Sequence, residues 1–426
     1  MTIRFTSKYN AYLVIWVLCV GLAAATRTFE PLLVSAPILI ALLAGLVPRP
    51  APRVTAERDE GTMHVFEGAP ISAGFSLTAS GDLALVEAVY VLPPDADLVE
   101  GTNTVLTCVP NGGSRSFAFT FRLPSRRFAG AGDLVVRIAD PTGFARWEER
   151  VPSRHRRTVF PAPESVAGGL RPENTRVFAG AYPSRITGEG LEFADIRSFE
   201  PGDKVSRVNW GALARTGELY VNDFVTERNT DVVLLLDVFA DAGVPGSGLL
   251  DFETRAAATL AEHYLREKNR VGLVEFGHHL RYLLPAAGLR AWYRMLAMLA
   301  DTRAATSYIT HEVSQIPPRV LPPQALVIAL TGLVNDRFAH ALGNLSARGF
   351  DVAVIRISPA ALLAREGAGG DTVLALATRL WRMREQSRAG SLADAGLPVV
   401  TWNVHEPVAG ALRDLDALRR RRGGAR

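Results

Sequence analysis

The sequence lacks the residues and motifs that mark several common classes of protein. Its 426 residues include only two cysteines, Cys19 and Cys108, which are too few for a disulfide framework or a cysteine zinc site and form no CxxC pair. We therefore expect a chain that works in a reducing compartment. The sequence has no GxxxxGK[ST] phosphate loop, no HExxH zinc motif, and no GxSxG motif with a plausible Ser/His/Asp order. These absences argue against a P-loop nucleotidase, a zinc protease and a serine hydrolase.

The net charge is small as well. The 47 basic residues exceed the 43 acidic residues by only four, so the charge balance predicts no nucleic-acid partner. Hydrophobic residues, in contrast, make up 48% of the chain, and the mean hydropathy of +0.12 is high for a wholly soluble protein. The length predicts two or three folded units. The apolar excess is concentrated near the N-terminus.

Two apolar stretches, 9–26 and 29–47, each come close to the roughly 20 residues that a membrane-spanning helix needs. We predict that both cross the bilayer, as a tight helical hairpin within residues 1–53. A cleaved signal peptide is the alternative for the first stretch, because Arg4 and Lys8 precede it and the alanines at 23–25 end it. The second stretch argues against cleavage, although retention of the first segment stays open on these grounds.

The basic residues beside the two stretches predict their orientation. Arg4 and Lys8 precede the pair, Arg49 and Arg53 follow it, and the connecting turn contains a single arginine. Because basic flanks prefer the cytoplasmic side, both outer ends are expected in the cytoplasm. The sequence thus predicts a multi-pass protein of the cell membrane, with the lipid bilayer as a partner and the bulk of the chain cytoplasmic.

Residues 54–161 alternate apolar and polar side chains, as in Ile71, Ala73, Phe75 and Leu77. Turn-forming residues separate several such runs, and the pattern predicts an antiparallel β-sandwich-like domain. Residues 162–230 begin with a stretch rich in proline, glycine and alanine. They are predicted to be a linker that runs over the surface, followed by a motif-bearing segment.

Residues 231–426 show a different period. Continuous apolar runs such as 232–236 alternate with helical patterns, which predicts a doubly wound α/β domain. Ligand sites in such folds lie at the carboxyl ends of the strands, which draws attention to Asp237. The arginines at 419–422 and Arg426 are expected to form a solvated basic tail, with contact to anionic lipid as the alternative.

The segment from Gly188 to Phe224, which we call the signature segment, is the densest in charged, aromatic and turn-forming residues. Its arginines and carboxylates are expected to pair over an apolar floor that includes Ile196, Val208 and Trp210. The residues of interest for structure or interaction are Glu192, Asp195, Arg197, Pro201, Gly202, Asp203, Arg207, Asn209, Trp210 and Arg215.

Crowded carboxylates also allow a second interpretation of the signature segment. Glu192, Asp195 and Asp203 could serve a hydrolase as an acid/base cluster, because like charges in a cleft separate their pKa values. The segment contains nearly as many arginines as carboxylates, which favours paired charges and no catalytic residues. The hydrolase remains the alternative function.

The order EF…R…PGD…R…NW…AR…GEL in the signature segment resembles that of the domain of unknown function 58 family. Arg126, Gly130 and the run 140–144 also resemble the upstream stretch of the family, so the resemblance covers essentially the whole chain. The sequence departs from the family at Phe199, where Tyr is usual, and at Gly211, where Lys is common. Losing that hydroxyl and that amine weakens a catalytic role for the motif.

The resemblance implies an architecture and a partner. Family members have a membrane hairpin, a β-rich region, the signature and a von Willebrand factor A-like domain, and no enzymatic reaction is established for them. They are typically encoded near MoxR-type AAA+ ATPases. We therefore expect a non-enzymatic interaction or adaptor protein, without a cofactor, that works with such an ATPase in protein maturation or complex assembly.

The resemblance also implies where a metal would bind. In von Willebrand A-like domains, an Asp-x-Ser-x-Ser run, a threonine and a further aspartate offer oxygen ligands to Mg²⁺. This chain keeps Asp237 and has Asp241 at the third place, but Phe239 and Gly332 stand where a serine and the distal acid would be. We expect a degraded site, with Asp237 and Asp241 as ligands if a cation binds. A metal-dependent protein-binding module is the corresponding alternative function.

Overall fold

A computed structural model describes residues 2–46, 53–59, 61–80, 83–130, 132–139, 143–153, 156–164, 166, 170, 176–188, 192–200, 203, 205–229, 231–244, 246–305, 311–366 and 372–423. The chain divides into two compact units, Met1–Val159 and Phe160–Arg426. Helices and sheets occur together, as the sequence predicts.

The first unit contains two helices and twelve strands among its described residues. The helices are α1 (Ser7–Thr26) and α2 (Glu30–Leu46). The strands are β1 (Thr2–Phe5), β2 (Arg53–Asp59), β3 (His64–Phe66), β4 (Pro70–Ser80), β5 (Leu83–Tyr90), β6 (Asp97–Glu100), β7 (Thr104–Val109), β8 (Ser114–Arg122), β9 (Arg127–Gly130), β10 (Leu134–Ala139), β11 (Ala145–Val151) and β12 (Arg156–Phe160).

Two antiparallel sheets share the core of this unit. One has the strand order β1-β11-β10-β5-β7 and the other β2-β4-β8-β6, while β3-β12-β9 form a small third sheet. Along β4 the apolar residues are buried, including Ile71, Phe75 and Leu77, and Ser72 and Thr78 are exposed. Apolar side chains from both large sheets meet in one cluster, so the period-two pattern does mark a half-buried sheet face.

The strand β1 precedes the apolar helices, yet it belongs to the same sheet as strands that follow them. It pairs antiparallel with β11, with Thr2 opposite Glu148 and Phe5 opposite Ala145. The Thr6 hydroxyl then donates to the Gly143 carbonyl at 2.7 Å. The chain therefore enters α1 and leaves α2 at the same sandwich, and both ends of the helical pair lie on one side.

The helices α1 and α2 pack against each other as a hairpin. Only residues 27–29 connect them, and Arg27 has a left-handed φ of 56° at the turn. At the other end, the buried Phe144 ring contacts the rings of Tyr9 and Tyr12, with centroids 5.8 and 5.3 Å apart. These contacts attach the open end of the hairpin to the sandwich.

One described helix, Ser7–Thr26, is long and apolar enough to cross a membrane. The second helix of the hairpin is apolar but shorter, over Glu30–Gly45. Large apolar side chains on both helices are exposed, among them Leu18 at 66%, Leu33 at 73% and Val34 at 72%. Side chains of this kind favour lipid over water, so membrane anchoring through this region is indicated.

The second unit begins with a three-stranded antiparallel sheet and continues with a larger one. Its strands are β13 (Arg176–Gly188), β14 (Glu192–Ser198), β15 (Tyr220–Asn229), β16 (Asp231–Asp237), β17 (Arg270–Phe276), β18 (Leu280–Ala286), β19 (Leu326–Thr331), β20 (Asp351–Ile357) and β21 (Val399–Trp402). Its helices are α3 (Trp210–Thr216), α4 (Leu249–Arg266), α5 (Leu289–Ala300), α6 (Asp336–Ala347), α7 (Pro359–Glu366), α8 (Thr372–Asp394) and α9 (Val408–Gly423), with short 3₁₀ turns at Val205–Arg207 and Val313–Gln315.

The six-stranded sheet has the order β18-β17-β16-β19-β20-β21, and all its neighbouring pairs are parallel except β17 with β18. Every residue of β16 is buried. Val232, Leu234 and Leu236 join one apolar cluster and Val233 and Leu235 join another on the opposite face. Helices thus cover both faces, which explains why the strands are continuous apolar runs.

The stretch expected to be a surface linker contributes a buried side chain to the core and a strand to a sheet. Leu170 is fully buried in the apolar cluster of the α/β sheet, and its carbonyl accepts a hydrogen bond from the Tyr264 hydroxyl at 3.1 Å. The later part of the stretch forms β13, which pairs with β15. Proline and glycine in this stretch are therefore compatible with ordered structure.

The arginines near the C-terminus match the predicted solvated tail only in part, because Arg420 and Arg421 are exposed and Arg419 is buried. They lie on α9, and Arg419 is only 8% exposed because its guanidinium pairs with Asp351 at 2.6 Å. Arg420 pairs with Asp416 one helical turn earlier, at 2.7 Å. Part of this basic run thus fixes α9 to the sheet, while Arg426 lies outside the described residues.

Candidate interaction site

The signature segment contributes to a small three-stranded sheet, β13-β15-β14, which is separate from the six-stranded sheet. Its strands β14 and β15 pair antiparallel, and Val208 bridges to Val221, both of them buried. The helix α3 lies between the two strands in sequence and has no buried residues. Strand pairing and specific polar contacts therefore hold the described part of this module together.

A bidentate ion pair in the segment joins Arg197 and Asp203. The two guanidinium nitrogens Nη1 and Nη2 donate to Asp203 Oδ2 and Oδ1 at 2.8 and 2.6 Å, a bidentate geometry. Asp203 Oδ2 also accepts the Glu200 amide at 2.8 Å, which closes the turn over 200–203. The Asp203 carboxylate is thus committed to an arginine and a backbone amide, as the pairing hypothesis expects.

Asn209 connects α3 to β15. Its Oδ1 accepts the Ala212 amide at 2.9 Å and so caps the helix, and its Nδ2 donates to Asn222 Oδ1 at 2.8 Å. Its backbone amide donates to the Tyr220 carbonyl at 2.8 Å. The Asn-Trp pair of the motif therefore sets where α3 begins, and so fixes the position of Trp210.

Trp210 itself is exposed, contrary to the expectation of a buried apolar floor. Its exposed fraction is 61%, and Ile196, Val205 and Leu219 on adjoining parts of the segment are exposed by 42%, 65% and 44%. Exposed tryptophan side chains are enriched among the residues that dominate binding at protein interfaces. We call these four residues the Trp210 patch.

The remaining residues of the motif are placed as follows. Arg215 is exposed, and its Nε donates to the Gly211 carbonyl at 3.1 Å within α3. Pro201 and Gly202 lie outside the described residues, as do the side chains of Glu192, Asp195 and Arg207. The acid/base cluster therefore rests on Asp203 alone among the described side chains, and Arg197 occupies that carboxylate.

A second candidate site lies at the end of β16. Asp237 is 3% exposed; its Oδ2 accepts the Thr331 hydroxyl at 2.6 Å and its Oδ1 accepts the Phe239 amide at 3.2 Å. Burial raises the pKa of Asp237 to about 7, against the lowering effects of these hydrogen bonds and of the Arg388 charge. The carboxyl group is therefore close to half protonated at neutral pH.

Arg388 is the part of this site that the sequence does not suggest. It lies on α8, far along the chain, and its Nη1 donates to the carbonyls of Leu333 and Val334, each at 2.8 Å. Its Nε contacts the Asp336 carboxylate. Because the loop after β19 carries no local signal for an arginine partner, only the folded chain shows that α8 fixes it.

The residues at the strand ends do not fit a Mg²⁺ site. Both oxygens of Asp237 accept hydrogen bonds from the protein, and Oδ1 of Asp241 accepts the amides of Ala242 and Leu250 at 2.9 and 3.1 Å. At Gly332, a Cβ atom would lie 2.6 Å from a Leu249 methyl carbon, so an acid there would require the Leu249 side chain to shift. No group of three or more His, Cys, Asp or Glu side chains able to hold a metal occurs in the part of the chain that the structure describes.

Comparison with solved structures gives only distant likenesses. A chain of the complex of zinc 2-glycoprotein with prolactin inducible protein from human seminal plasma is 10% identical, with a TM-score of 0.16, over 26% of this chain and 99% of that one. A FixG-related protein from Vibrio parahaemolyticus is 13% identical, with a TM-score of 0.14, over 25% of this chain and 99% of that one. TM-scores this low do not establish a common fold.

Sequence comparison is more informative. Uncharacterized proteins of Mycobacterium tuberculosis and Mycobacterium bovis are 28% identical over 141 residues, which is 32% of this chain. The match spans 44% of the length of these relatives. Residues 195–361 match the family model described as protein of unknown function DUF58. The region from the signature segment through most of the six-stranded sheet is thus similar to proteins of that family.

Proposed function

We propose that this protein is a membrane-anchored, non-enzymatic interaction protein that binds its partner through the Trp210 patch. The partner proposed is a MoxR-type AAA+ ATPase, as the family resemblance implies. The observation that carries the proposal is the 61% exposure of Trp210 on a helix whose position Asn209 fixes. Tryptophan is enriched among the residues that dominate binding at protein interfaces.

The chemistry of the signature segment supports binding over catalysis. A general acid or base needs a carboxyl group that can exchange a proton with a substrate. Asp203 is held instead by a bidentate arginine and a turn amide, which suits a structural role. The paired charges shape the module, and the exposed apolar side chains are left to meet a partner.

The anchor is proposed to be the hairpin of α1 and α2, with both helices crossing the bilayer. Pairing of β1 with β11 supports an even number of crossings, because it places the residues before α1 and after α2 in one sheet. Cleavage after α1 would remove the edge strand β1, which argues for retention of this segment. The basic flanks then support a cytoplasmic location for both units.

The second unit is proposed to be a von Willebrand A-like domain that works without a metal. Supporting this are the mostly parallel sheet with helices on both faces and the Asp237–Thr331 hydrogen bond at the strand ends. Both carboxylate oxygens of Asp237 and the Oδ1 atom of Asp241 accept hydrogen bonds from the protein. Asp237 and Asp241 are therefore proposed to hold the loops after β16.

The binding proposal is tested with the purified full-length chain in nanodiscs and the purified ATPase encoded nearest to it. Trp210→Ala should weaken binding by on the order of 30-fold, because truncating a central interface tryptophan typically costs 2 kcal/mol or more. The matched control is Tyr293→Ala, which removes another exposed aromatic ring, 55% exposed on α5.

The expected control result is unchanged affinity for Tyr293→Ala, with both variants as stable as the wild type. Equal affinities for the wild type and Trp210→Ala would overturn the proposed site. Binding that survives removal of residues 231–426 but is lost with Trp210→Ala would restrict the interaction to the signature segment.

The anchoring proposal is tested by labelling Cys108, an exposed cysteine of the first unit, with a membrane-impermeant thiol reagent. Cytoplasmic placement predicts no labelling in intact cells and full labelling in inverted membrane vesicles. Cys108→Ser serves as the control, because it leaves only Cys19 within α1. Labelling of Cys108 in intact cells would contradict the proposed orientation.

A further inference from the structure

The first three turns of α8, residues 373–384, form an exposed apolar helix surface that is distinct from the Trp210 patch. Val373, Leu376, Leu380 and Met383 are exposed by 76%, 58%, 53% and 58%. Their spacing of three, four and three residues places them along one stripe of the helix, which we call the α8 stripe. Exposed apolar stripes of this size normally meet a partner or a membrane.

The other half of α8 is firmly packed, so the exposed half is held in place. Glu385 is fully buried, and its carboxylate oxygens accept the Ser358 hydroxyl at 2.7 Å and the Ala360 amide at 3.0 Å. Leu392, two turns later, is 4% exposed in the apolar cluster of the sheet. The α8 stripe therefore projects from a fixed base.

The charged residues within the run 372–384 are all of one sign. Arg379, Arg382 and Arg384 are exposed, and the run 372–384 contains no acidic residue. At 100° per residue, Arg379 and Arg384 lie on the two sides of the stripe, and Arg382 lies on the far face of the helix. Trp381 lies in the same turns and is half-buried. Apolar residues with flanking arginines and a tryptophan are the composition of a helix that lies in a membrane interface.

We propose that the α8 stripe lies on the surface of an anionic bilayer, with its apolar side chains at the boundary of headgroups and acyl chains. The exposed arginines on this half of α8 complement anionic phospholipids, and each arginine near such a surface adds to the attraction. The helix α1, which is able to anchor the chain, would make the contact effectively intramolecular and so raise its occupancy. This contact is independent of the partner proposed for the Trp210 patch.

The test places a fluorescent label at position 376 of the full-length chain. Leu376→Cys is made in a chain carrying Cys19→Ser and Cys108→Ser, labelled with an environment-sensitive fluorophore, and reconstituted into vesicles that contain brominated lipids. The vesicles are phosphatidylcholine alone or phosphatidylcholine with phosphatidylglycerol. The matched control is Leu289→Cys, at the start of α5, where the native side chain is 68% exposed.

The expected result is lipid quenching at position 376 only in vesicles with phosphatidylglycerol, reversed by high salt, and no quenching at position 289. Replacing the three arginines by glutamine should lower the equilibrium constant for surface contact by on the order of 100-fold and abolish the quenching. Equal quenching at positions 376 and 289, or equal quenching at position 376 with and without phosphatidylglycerol, would overturn the proposal.

A third outcome would identify a different occupant. Protection of position 376 from aqueous iodide without lipid quenching would show that a protein surface covers the stripe, and would also overturn the proposal. If flotation shows that the chain does not insert, the same label is read with vesicles added from outside. Failure of the anchor and failure of the α8 contact then give separate results.

Discussion

Two aspartates in the second unit differ in solvent exposure and in their charge partners: Asp203 in the signature segment and Asp237 at the end of β16. Asp203 lies near the surface, where its oxygens bind the guanidinium of Arg197, whose side chain is 40% exposed. Asp237 is buried and accepts hydrogen bonds from a hydroxyl and an amide, with no direct contact to a cation among the hydrogen bonds and ion pairs of the described residues.

The difference between them lies in desolvation. A carboxylate near the surface keeps part of its hydration and gains an arginine, so its charge stabilises a turn at modest cost. A carboxylate that leaves water without a paired cation is destabilised in its charged form, and its pKa rises. An aspartate therefore serves as a charged structural residue at position 203 and as a group with a raised pKa at position 237.

The largest expected effect concerns the pH dependence of stability at Asp237. Its folded pKa of about 7 lies above the ordinary value of 3.8, so the native state retains a proton that the unfolded chain releases. The stabilisation is therefore fully present below about pH 4 and is lost as the pH rises to about 7, by about 4 kcal/mol in total. Urea unfolding of the wild type and of Asp237→Asn between pH 4 and pH 8 measures this slope.

Asp237→Asn should remove that part of the slope, because the amide does not titrate in this range. Thr331→Val provides a sharper check, since it deletes a hydrogen bond that lowers the pKa and should move the loss of stability to higher pH. Parallel pH profiles for the wild type and Asp237→Asn would show that Asp237 does not titrate in this window.

A smaller effect is expected for the surface pair. Asp203→Asn keeps the shape of the side chain but loses the charge that pairs with Arg197, at a cost of about 1 kcal/mol because the pair is partly hydrated. Local opening should then speed hydrogen exchange of the β14 amides by about five-fold. High salt should shrink this difference, whereas it should leave the Asp237 effect largely unchanged.

Glu200→Gln is the matched control for this pair. The Glu200 side chain is exposed and lies in the same turn, three residues before Asp203, so this substitution removes a nearby negative charge without touching the ion pair. Its exchange rates are expected to match the wild type within the error of the method. An equal acceleration in both variants would mean that net charge, and not the bidentate pair, stabilises the turn.

Parts of each region could be predicted from the sequence. The apolar run before Asp237 predicted a buried strand, and the interleaved charges of the signature segment predicted an Arg–carboxylate pair, which is seen as Arg197 with Asp203. The burial of Trp210 was predicted wrongly, because alternating apolar residues show that a face exists but not whether anything covers it. Solvation of Arg419 was predicted wrongly for the same reason, since its partner Asp351 belongs to a distant strand.

The sequence by itself determined the kinds of elements, their approximate order and the apolar hairpin near the N-terminus, because hydrophobic periodicity follows from local backbone geometry. Only the tertiary structure decided that β1 and β11 share a sheet, that Arg388 holds the loop after β19, and that Asp237 is desolvated. These properties depend on residues that are distant in sequence and become neighbours only when the chain folds. Exposure of the Trp210 patch and of the α8 stripe is decided in the same way, by what the rest of the chain covers.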